Sequence, residues 1–152
     1  MPVAYRIARA RYAADAFSGE GARLYGGRWN SPGIRMVYTS GSISLCTLEM
    51  LVHLGETRVL SGYVLFRVHL DNSVIATADR PVLPANWRDY PAPGALAAIG
   101  DRWVRSGESV ALKVPSAVIE SESNFLLNPG HPAFQAVEIE GPFPHDFDAR
   151  LT

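Results

Sequence analysis

The chain has 152 residues, 47% of them hydrophobic, and its 14 basic and 15 acidic residues give a formal net charge of −1. This length suits one domain, and this apolar content suffices for a single core. A balanced charge argues against direct DNA or RNA binding, which depends on a broad positive field. The sequence has no apolar run of membrane-spanning length and no secretory signal pattern, and its lone cysteine, Cys46, cannot form an internal disulfide. We therefore expect a soluble cytoplasmic protein with Cys46 packed in its core.

Apolar patterns and turn residues predict the elements of the first half. In chain order, we predict a strand over residues 3–8, a loop with a helical turn over 14–27, a strand over 35–39 and a helix over Ile43–Leu54. Ser42 is a good N-cap for this helix and Gly55 a good C-cap. Because the helix is apolar on nearly every side, we expect it to be buried.

The second half has less regular patterns. We predict strands over residues 63–70 and 73–78, a proline-rich surface loop over 80–94 that could act as a lid, a helix over 94–105, a strand over 109–117, a loop over 120–134 and a last strand over 135–139. Strands and helices do not alternate regularly. This order favours a single α+β domain over a doubly wound parallel sheet.

Glu49 is the first residue that could carry chemistry, because it lies on the apolar helix with Leu45, Cys46, Val52 and His53 at spacings of three and four. A buried carboxylate must be paired, hydrogen-bonded or functional. A glutamate that emerges at the edge of a core helix is an equally valid interpretation. Glu49 and His53 could form half of a metal site, but zinc needs at least three protein ligands, and no further histidine has suitable spacing.

Arg28 is the second such residue, at the centre of the glycine-rich sequence GGRWNSPG, residues 26–33. Glycines let a backbone approach a ligand closely, and an arginine offers a rigid fork of donors for a phosphate or carboxylate. The alternative is an ordinary turn with a solvated Arg28 and with Trp29 packed on the core. No nucleotide-binding glycine motif is present to decide between them.

A third stretch, VPSAVIESESNFLLNPGHPAF, spans residues 114–134 and combines a strand end with a polar loop. Such strand ends often carry functional sites, although serine and asparagine also serve in turns and caps. Its polar side chains are Ser116, Ser121, Ser123, Asn124 and Asn128. Ser116 lacks the context of a hydrolase nucleophile, so we do not favour a serine hydrolase.

Taken together, these stretches resemble the RES-domain family, named for an arginine, a glutamate and a serine, whose members are toxins of bacterial toxin–antitoxin pairs. The resemblance rests on GGRWNSPG, on MVYTSGSISLCTLEMLVHL at residues 36–54 and on the stretch 114–134, and it extends to YRIAR and FSGEGARLYGGRWN near the start. It covers nearly the whole chain, which we therefore interpret as one RES domain over residues 1–152. Glu120 and Phe125 depart from residues that are common in the family, and neither belongs to its core set.

The resemblance assigns the site residues. It implies that Arg28, Tyr38, Glu49 and Ser116 are active-site positions and that Asn124 contributes to substrate binding. Glu49 would stabilise positive charge on a ribose and Arg28 would bind a phosphate. Tyr38 would stack on the nicotinamide or its ribose. Ser116 would hydrogen-bond the sugar or hold Glu49 in place.

The same resemblance implies a fold akin to ADP-ribosyltransferases and an enzyme that cleaves the nicotinamide–ribose bond of NAD. Water or inorganic phosphate would be the acceptor, which makes the enzyme an NAD glycohydrolase or an NAD phosphorylase. NAD would be a substrate, so no cofactor and no metal is expected.

The expected partner is an antitoxin of the Xre type, which carries a helix-turn-helix domain and alone contacts DNA. The toxin itself would be a homodimer with no membrane association. Two alternatives remain open at the level of sequence. One is transfer of ADP-ribose onto a protein target, and the other is a non-catalytic domain that binds a nucleotide or a partner protein.

Overall fold

A computed structural model describes residues 2–54, 60–78 and 82–151. Its strands are β1 (Val3–Arg9), β2 (Val37–Ser40), β3 (Tyr63–His69), β4 (Ile75–Thr77), β5 (Ala111–Pro115), β6 (Ser123–Leu127) and β7 (Glu138–His145). Its α-helices are α1 (Glu20–Tyr25), α2 (Ile43–Leu54) and α3 (Gly94–Ser106). Short 3₁₀ turns occupy Ala10–Asp15, Asn72–Val74, Pro132–Ala136 and Ala149–Leu151.

Within the described ranges, seven strands form one sheet in the order β4-β5-β6-β2-β1-β3-β7. Strands β4 and β5 run parallel, and the other neighbouring pairs are antiparallel. The predicted α+β class is therefore confirmed. No helix in these ranges has the length and apolarity needed to span a bilayer.

The sheet carries a hydrophobic cluster on each of its two faces. Neighbouring residues of β6 show this division, because Leu126 belongs to one cluster and Phe125 and Leu127 to the other. The first cluster surrounds Trp29, Trp87 and Trp103, and the second surrounds Ala4, Val37 and Val68. Side chains on the first face, such as that of Tyr38, therefore lie beside an apolar cluster.

The two long helices match the sequence prediction. Helix α2 has the predicted bounds, and the Ser42 hydroxyl accepts a hydrogen bond from the Leu45 N–H at 3.0 Å, as an N-cap does. Helix α3 extends one residue beyond the prediction to Ser106, and its C-cap is Gly107, which has a left-handed φ of 64°. The predicted C-cap of α2, Gly55, lies outside the described residues.

The prediction that α2 is buried on nearly every side was wrong. Leu45, Cys46 and Leu51 are buried, but Leu48 is 39% exposed and Val52 60% exposed. The helix packs against β1 and β2 along one side, and Leu48 and Val52 lie on its more exposed side. Glu49 is partly exposed because it lies at the boundary between these two sides.

The prediction of a continuous loop over residues 120–134 was also wrong, because β6 lies within it. This strand pairs with β2 on one side and with β5 on the other, and Phe125, Leu126 and Leu127 are buried. A strand buried on both faces shows no alternation of polar and apolar residues. The flanking serines, asparagines and prolines concealed it in the sequence.

The last strand was predicted over residues 135–139 but forms as β7, from Glu138 to His145. It pairs with β3 at the sheet edge, and an edge strand tolerates Pro142 and Pro144 because it needs fewer N–H donors. Gly141 has a φ of 118°, beside an irregularity in the pairing of Leu65 and Arg67. The remaining strand predictions are correct in place and differ by a few residues at their ends.

Candidate active site

The Glu49 carboxylate is held by two side chains that are distant in the sequence. The Ser116 hydroxyl donates a hydrogen bond to Glu49 Oε1 at 2.7 Å, and the Asn124 amide Nδ2 donates to the same oxygen at 2.8 Å. Helix α2 supplies the acceptor, while the end of β5 and the start of β6 supply the donors. Neither bond uses Oε2, so with respect to the residues that the structure describes the second carboxylate oxygen keeps its capacity to accept from a ligand.

The orientation of the Ser116 hydroxyl follows from its other contacts. Its Oγ accepts the N–H groups of Val118 at 3.0 Å and Ile119 at 3.1 Å. A hydroxyl has two acceptor lone pairs and one proton, so these contacts leave the proton for Glu49. Ser116 is fully buried, at 0% exposure, and its own N–H donates to the Glu122 carbonyl, which closes the β5–β6 connection. Of the two roles considered for Ser116, the structure contains the contact with Glu49.

Asn124 is the second residue of β6 and lies directly opposite Ser40 of β2 and Val114 of β5. Its amide nitrogen is engaged by Glu49, whereas its Oδ1 is buried with no hydrogen-bond partner within the described residues. A buried acceptor without a partner is unfavourable, so such groups are uncommon and concentrate at functional sites. Asn124 therefore keeps the Glu49 oxygen in place at some expense in stability.

Arg28 lies at the tip of a tight turn. The Gly27 N–H donates to the Asn30 carbonyl at 3.0 Å, which places Arg28 and Trp29 between two paired residues. Trp29 is buried in the first core cluster, at 2% exposure, and Arg28 remains partly exposed. Trp29 thus anchors the turn in the core, and Arg28 presents its guanidinium at the surface.

The Arg28 guanidinium contacts the proline-rich loop. Its Nη1 donates to the Trp87 carbonyl at 2.9 Å and to the Asp89 carbonyl at 3.1 Å. The N–H groups on Nε and Nη2 make no hydrogen bond within the part of the chain that the structure describes, so they are available for an anion. The described part of the loop, residues 82–93, is anchored by the buried Trp87 and forms a wall beside Arg28.

Tyr38 of β2 is linked to the same turn through its hydroxyl. The hydroxyl donates to Asn30 Oδ1 at 2.6 Å and accepts from the Trp29 N–H at 3.1 Å. Burial raises the pKa of Tyr38 well above its usual value. The hydroxyl therefore stays neutral over the ordinary pH range, and its hydrogen bonds hold the Arg28 turn.

The structure thus divides the predicted site residues into two groups. Glu49, Ser116 and Asn124 are in direct contact, and Arg28 is joined to Tyr38 through the turn. Tyr38 and Asn124 lie on the same face of adjacent strands, since Ser40 is opposite Asn124 and Tyr38 is two residues before it. Such diagonal neighbours are about 7–8 Å apart. The two groups therefore stand side by side on one face of the sheet.

Neither a metal nor a reactive thiol is supported by the geometry. The described ranges hold no group of three or more histidine, cysteine, aspartate or glutamate side chains placed for a metal ion, and His53 is exposed. Cys46 is buried, its Sγ donates to the Tyr5 carbonyl at 3.5 Å, and burial raises its pKa to about 11. Cys46 is consequently a core residue, as its sequence context predicts.

Two residues that hold the Arg28 turn in place, Asn30 within it and Asp101 on α3, were missed as site components in the sequence. Asn30 is 1% exposed and accepts the Tyr38 hydroxyl, and Asp101 of α3 is 6% exposed and accepts the Ser31 N–H at 2.9 Å. In the sequence, Asp101 differs from its surroundings only as a carboxylate among the apolar residues of a helix. Asn30 gives no distinct signal, because asparagine is common in turns.

Comparison with known proteins identifies the family. The sequence model of the RES domain matches residues 3–151. A Yersinia enterocolitica protein named "Toxin Res" is 41% identical, with 97% of this chain and 97% of that protein covered. A Sphingobium protein named "Prs ADP-ribosylating toxin" is 35% identical, with 92% and 89% covered. The chain therefore belongs to the RES-domain family.

A solved structure supports the fold. One chain of the crystal structure of the M. tuberculosis MbcT–MbcA toxin–antitoxin complex matches with a TM-score of 0.77, covering 95% of this chain and 84% of that chain. Because the two sequences are 20% identical, this likeness bears on the fold alone. The predicted family and the predicted fold class are both confirmed.

Proposed function

We propose that this chain is the toxin of a toxin–antitoxin pair and that it degrades NAD by cleaving the nicotinamide–ribose bond. The observation that carries the proposal is the Glu49 carboxylate, which Ser116 and Asn124 hold through Oε1 on the face of the sheet that also carries the Arg28 turn. Family membership and the toxin names of the relatives support it.

The chemistry requires a fixed negative charge near the ribose. When the bond between ribose C1′ and the pyridinium nitrogen breaks, its electron pair stays with nicotinamide and cancels the pyridinium charge, while positive charge develops on the ribose. Glu49 stabilises that charge, and its Oε2 accepts the ribose 2′-hydroxyl. An oxygen of water or phosphate then bonds to C1′, and an attacking water releases its proton to solvent.

Arg28 supplies the second part of the proposed site. Its free donors bind a phosphate of the dinucleotide or of the acceptor, because a guanidinium matches phosphate oxygens with two parallel hydrogen bonds. The ring of Tyr38 packs against the nicotinamide ribose, while its hydroxyl remains engaged with Asn30 and Trp29. NAD is consumed as a substrate, and the proposal needs no resident cofactor.

The test follows free nicotinamide after NAD is mixed with pure protein, in phosphate buffer and in phosphate-free buffer. Nicotinamide should appear, with ADP-ribose as the second product when water is the acceptor and its phosphorylated form when phosphate is. Glu49→Gln should lower kcat by about 100-fold or more, because it removes the charge and keeps the shape. Glu108→Gln, at an exposed glutamate after α3, is the matched control. NAD that persists in both buffers would contradict the proposal.

Transfer of ADP-ribose to a protein is the second candidate function, and the name of the Sphingobium relative favours it. The same site chemistry applies, with a side chain of a target protein in place of water or phosphate. NAD labelled in its adenylate phosphate separates the two candidates. Label in small products supports NAD degradation, and label that remains on protein supports transfer.

We further propose a cytoplasmic complex with a helix-turn-helix antitoxin of the Xre type, in which the toxin is a homodimer and only the antitoxin contacts DNA. The complex named for the similar structure supports an antitoxin partner, and the near-neutral charge supports indirect DNA contact. Expression of this chain alone should stop bacterial growth, and the Glu49→Gln variant should not. Light scattering of the pure protein gives the number of subunits.

A further inference from the structure

The side chain of Asn30 is at the centre of the turn that carries Arg28. It is 1% exposed, and its Nδ2 donates to the carbonyls of Ala22 at 2.8 Å, Ser31 at 3.2 Å and Ile34 at 3.0 Å. These carbonyls belong to α1 and to the segment that follows the turn. One amide group therefore ties together the chain before the turn and the chain after it.

The opposite end of the same amide reaches the sheet. Asn30 Oδ1 accepts the Tyr38 hydroxyl at 2.6 Å, and that hydroxyl accepts the Trp29 N–H at 3.1 Å. Because the phenolic proton points to Asn30, the hydroxyl oxygen faces Trp29 with its lone pairs. The backbone next to Arg28 is thus fixed to β2 through Tyr38, and Tyr38 is oriented by Asn30.

Helix α3 closes the turn from a third direction. Asp101 Oδ1 accepts the Ser31 N–H at 2.9 Å. A Cβ added at Gly100 would lie 1.7 Å from the Trp29 carbonyl oxygen, so the helix backbone touches the turn directly. The turn is therefore contacted by α1, β2 and α3, and Asn30 makes the contacts with α1 and β2.

We propose that Asn30 is a positioning residue, which holds the Arg28 guanidinium in the geometry that binds a phosphate of the dinucleotide. This inference rests on the proposed function, because it assigns Arg28 to the substrate phosphate. Asn30 itself is buried and meets no ligand. It acts through the turn, where a shift of about 1 Å in the Arg28 backbone is enough to weaken a two-point phosphate contact.

Steady-state kinetics of NAD cleavage test the inference. Asn30→Ala should raise KM for NAD by about 10-fold and change kcat by less than about 3-fold, because it weakens binding and leaves Glu49 in place. In an Arg28→Ala background the same substitution should change kcat/KM by less than about 3-fold, since no guanidinium remains to be positioned and only the smaller effect of the substitution through Tyr38 is left. Equal losses in both backgrounds would overturn the inference.

Asn128→Ala is the matched control for loss of a buried asparagine. Asn128 is 5% exposed, accepts the Gly130 N–H at 3.0 Å and lies after the end of β6 that is remote from Asn124. Asn128→Ala should lower the melting temperature as Asn30→Ala does and leave KM for NAD unchanged. A comparable rise in KM for both variants would show a general effect of instability, and the inference would fail.

Amide hydrogen exchange gives a readout that needs no substrate. The Trp29 N–H, bonded to Tyr38, should exchange about 10-fold faster in Asn30→Ala than in the wild type, and at the wild-type rate in Asn128→Ala. If the wild-type protein does not cleave NAD, the proposed function fails, and this exchange rate still decides whether Asn30 holds the Arg28 turn. Unchanged protection of Trp29 in Asn30→Ala would overturn it.

Discussion

At the scale of single residues, Ser116 has two roles in one hydroxyl. Its lone pairs accept the N–H groups of Val118 and Ile119, and its proton is thereby directed to Glu49. The serine thus shapes the turn between β5 and β6 and fixes the carboxylate with the same atom. Loss of the hydroxyl removes a donor from Glu49 and leaves two N–H groups without their acceptor.

Ser116→Ala should therefore lower the free energy of unfolding by about 1–3 kcal/mol, the typical consequence of leaving buried polar groups unpaired. It should also reduce nicotinamide release, and by less than Glu49→Gln does, because the carboxylate is still present. Urea denaturation gives the stability. Ser121→Ala, at an exposed serine in the same connection, should stay within about 0.5 kcal/mol of the wild type. Equal stability of the two variants would contradict this account of Ser116.

At the scale of elements, the close approach between α3 and the Arg28 turn is possible because Gly100 has no side chain. The Trp29 carbonyl occupies the space that a Cβ would fill. Trp29 and Trp103 pack in the first hydrophobic cluster, and the Asp101 carboxylate accepts a hydrogen bond from the Ser31 N–H. The helix therefore contributes to the site through its backbone and one carboxylate, although it carries none of the residues that the family resemblance assigns.

Gly100→Ala should force α3 away from the turn and lower the free energy of unfolding by about 2–3 kcal/mol, in the range of other overpacked positions. Gly94→Ala on the same helix is the control. An added Cβ at Gly94 meets no atom within 4 Å, so this change should be neutral or stabilising by up to about 1 kcal/mol. Chemical denaturation of both variants measures the difference, and similar stabilities would refute the close approach.

At the scale of the whole molecule, the sheet ends at β7, whose pairing with β3 is supported by side chains. His69 and Glu140 form a hydrogen-bonded pair across the two strands, and the Arg67 guanidinium lies 4.9 Å from the centre of the Phe143 ring. The hydrogen bond from His69, with the charges of His69 and Arg67, holds the pKa of Glu140 below its usual value. We therefore expect the stability of this edge of the sheet to depend on pH.

A carboxyl group with a lowered pKa stabilises the fold above its ordinary pKa, and this contribution disappears as the pH falls through the lowered value. The wild-type protein should accordingly lose more of its free energy of unfolding between about pH 5 and pH 3 than Glu140→Gln does. Urea titrations at both pH values measure the loss. Glu138→Gln, at an exposed glutamate two residues earlier in β7, should follow the wild type. Identical pH dependence in all three proteins would contradict the role of the pair.

The sequence by itself determined the two long helices and named the residues of the candidate site. Helix α2, its Ser42 cap and the end of α3 at Gly107 follow from hydrogen bonds between residues close in the chain, so local composition was enough. The residues Arg28, Tyr38, Glu49, Ser116 and Asn124 were named from ordered motifs. Both local composition and ordered motifs can be read without knowing which distant segments of the chain are in contact.

Only the tertiary structure decided which of these residues touch. Ser116 and Glu49 are 67 positions apart, and Arg28 and Trp87 are 59 apart, so no local pattern encodes either contact. Strand β6 was missed for the same reason, because its place between β2 and β5 comes from pairing with strands elsewhere in the chain. The role of Asn30 depends on α1, β2 and α3 meeting at one turn, which is a property of packing.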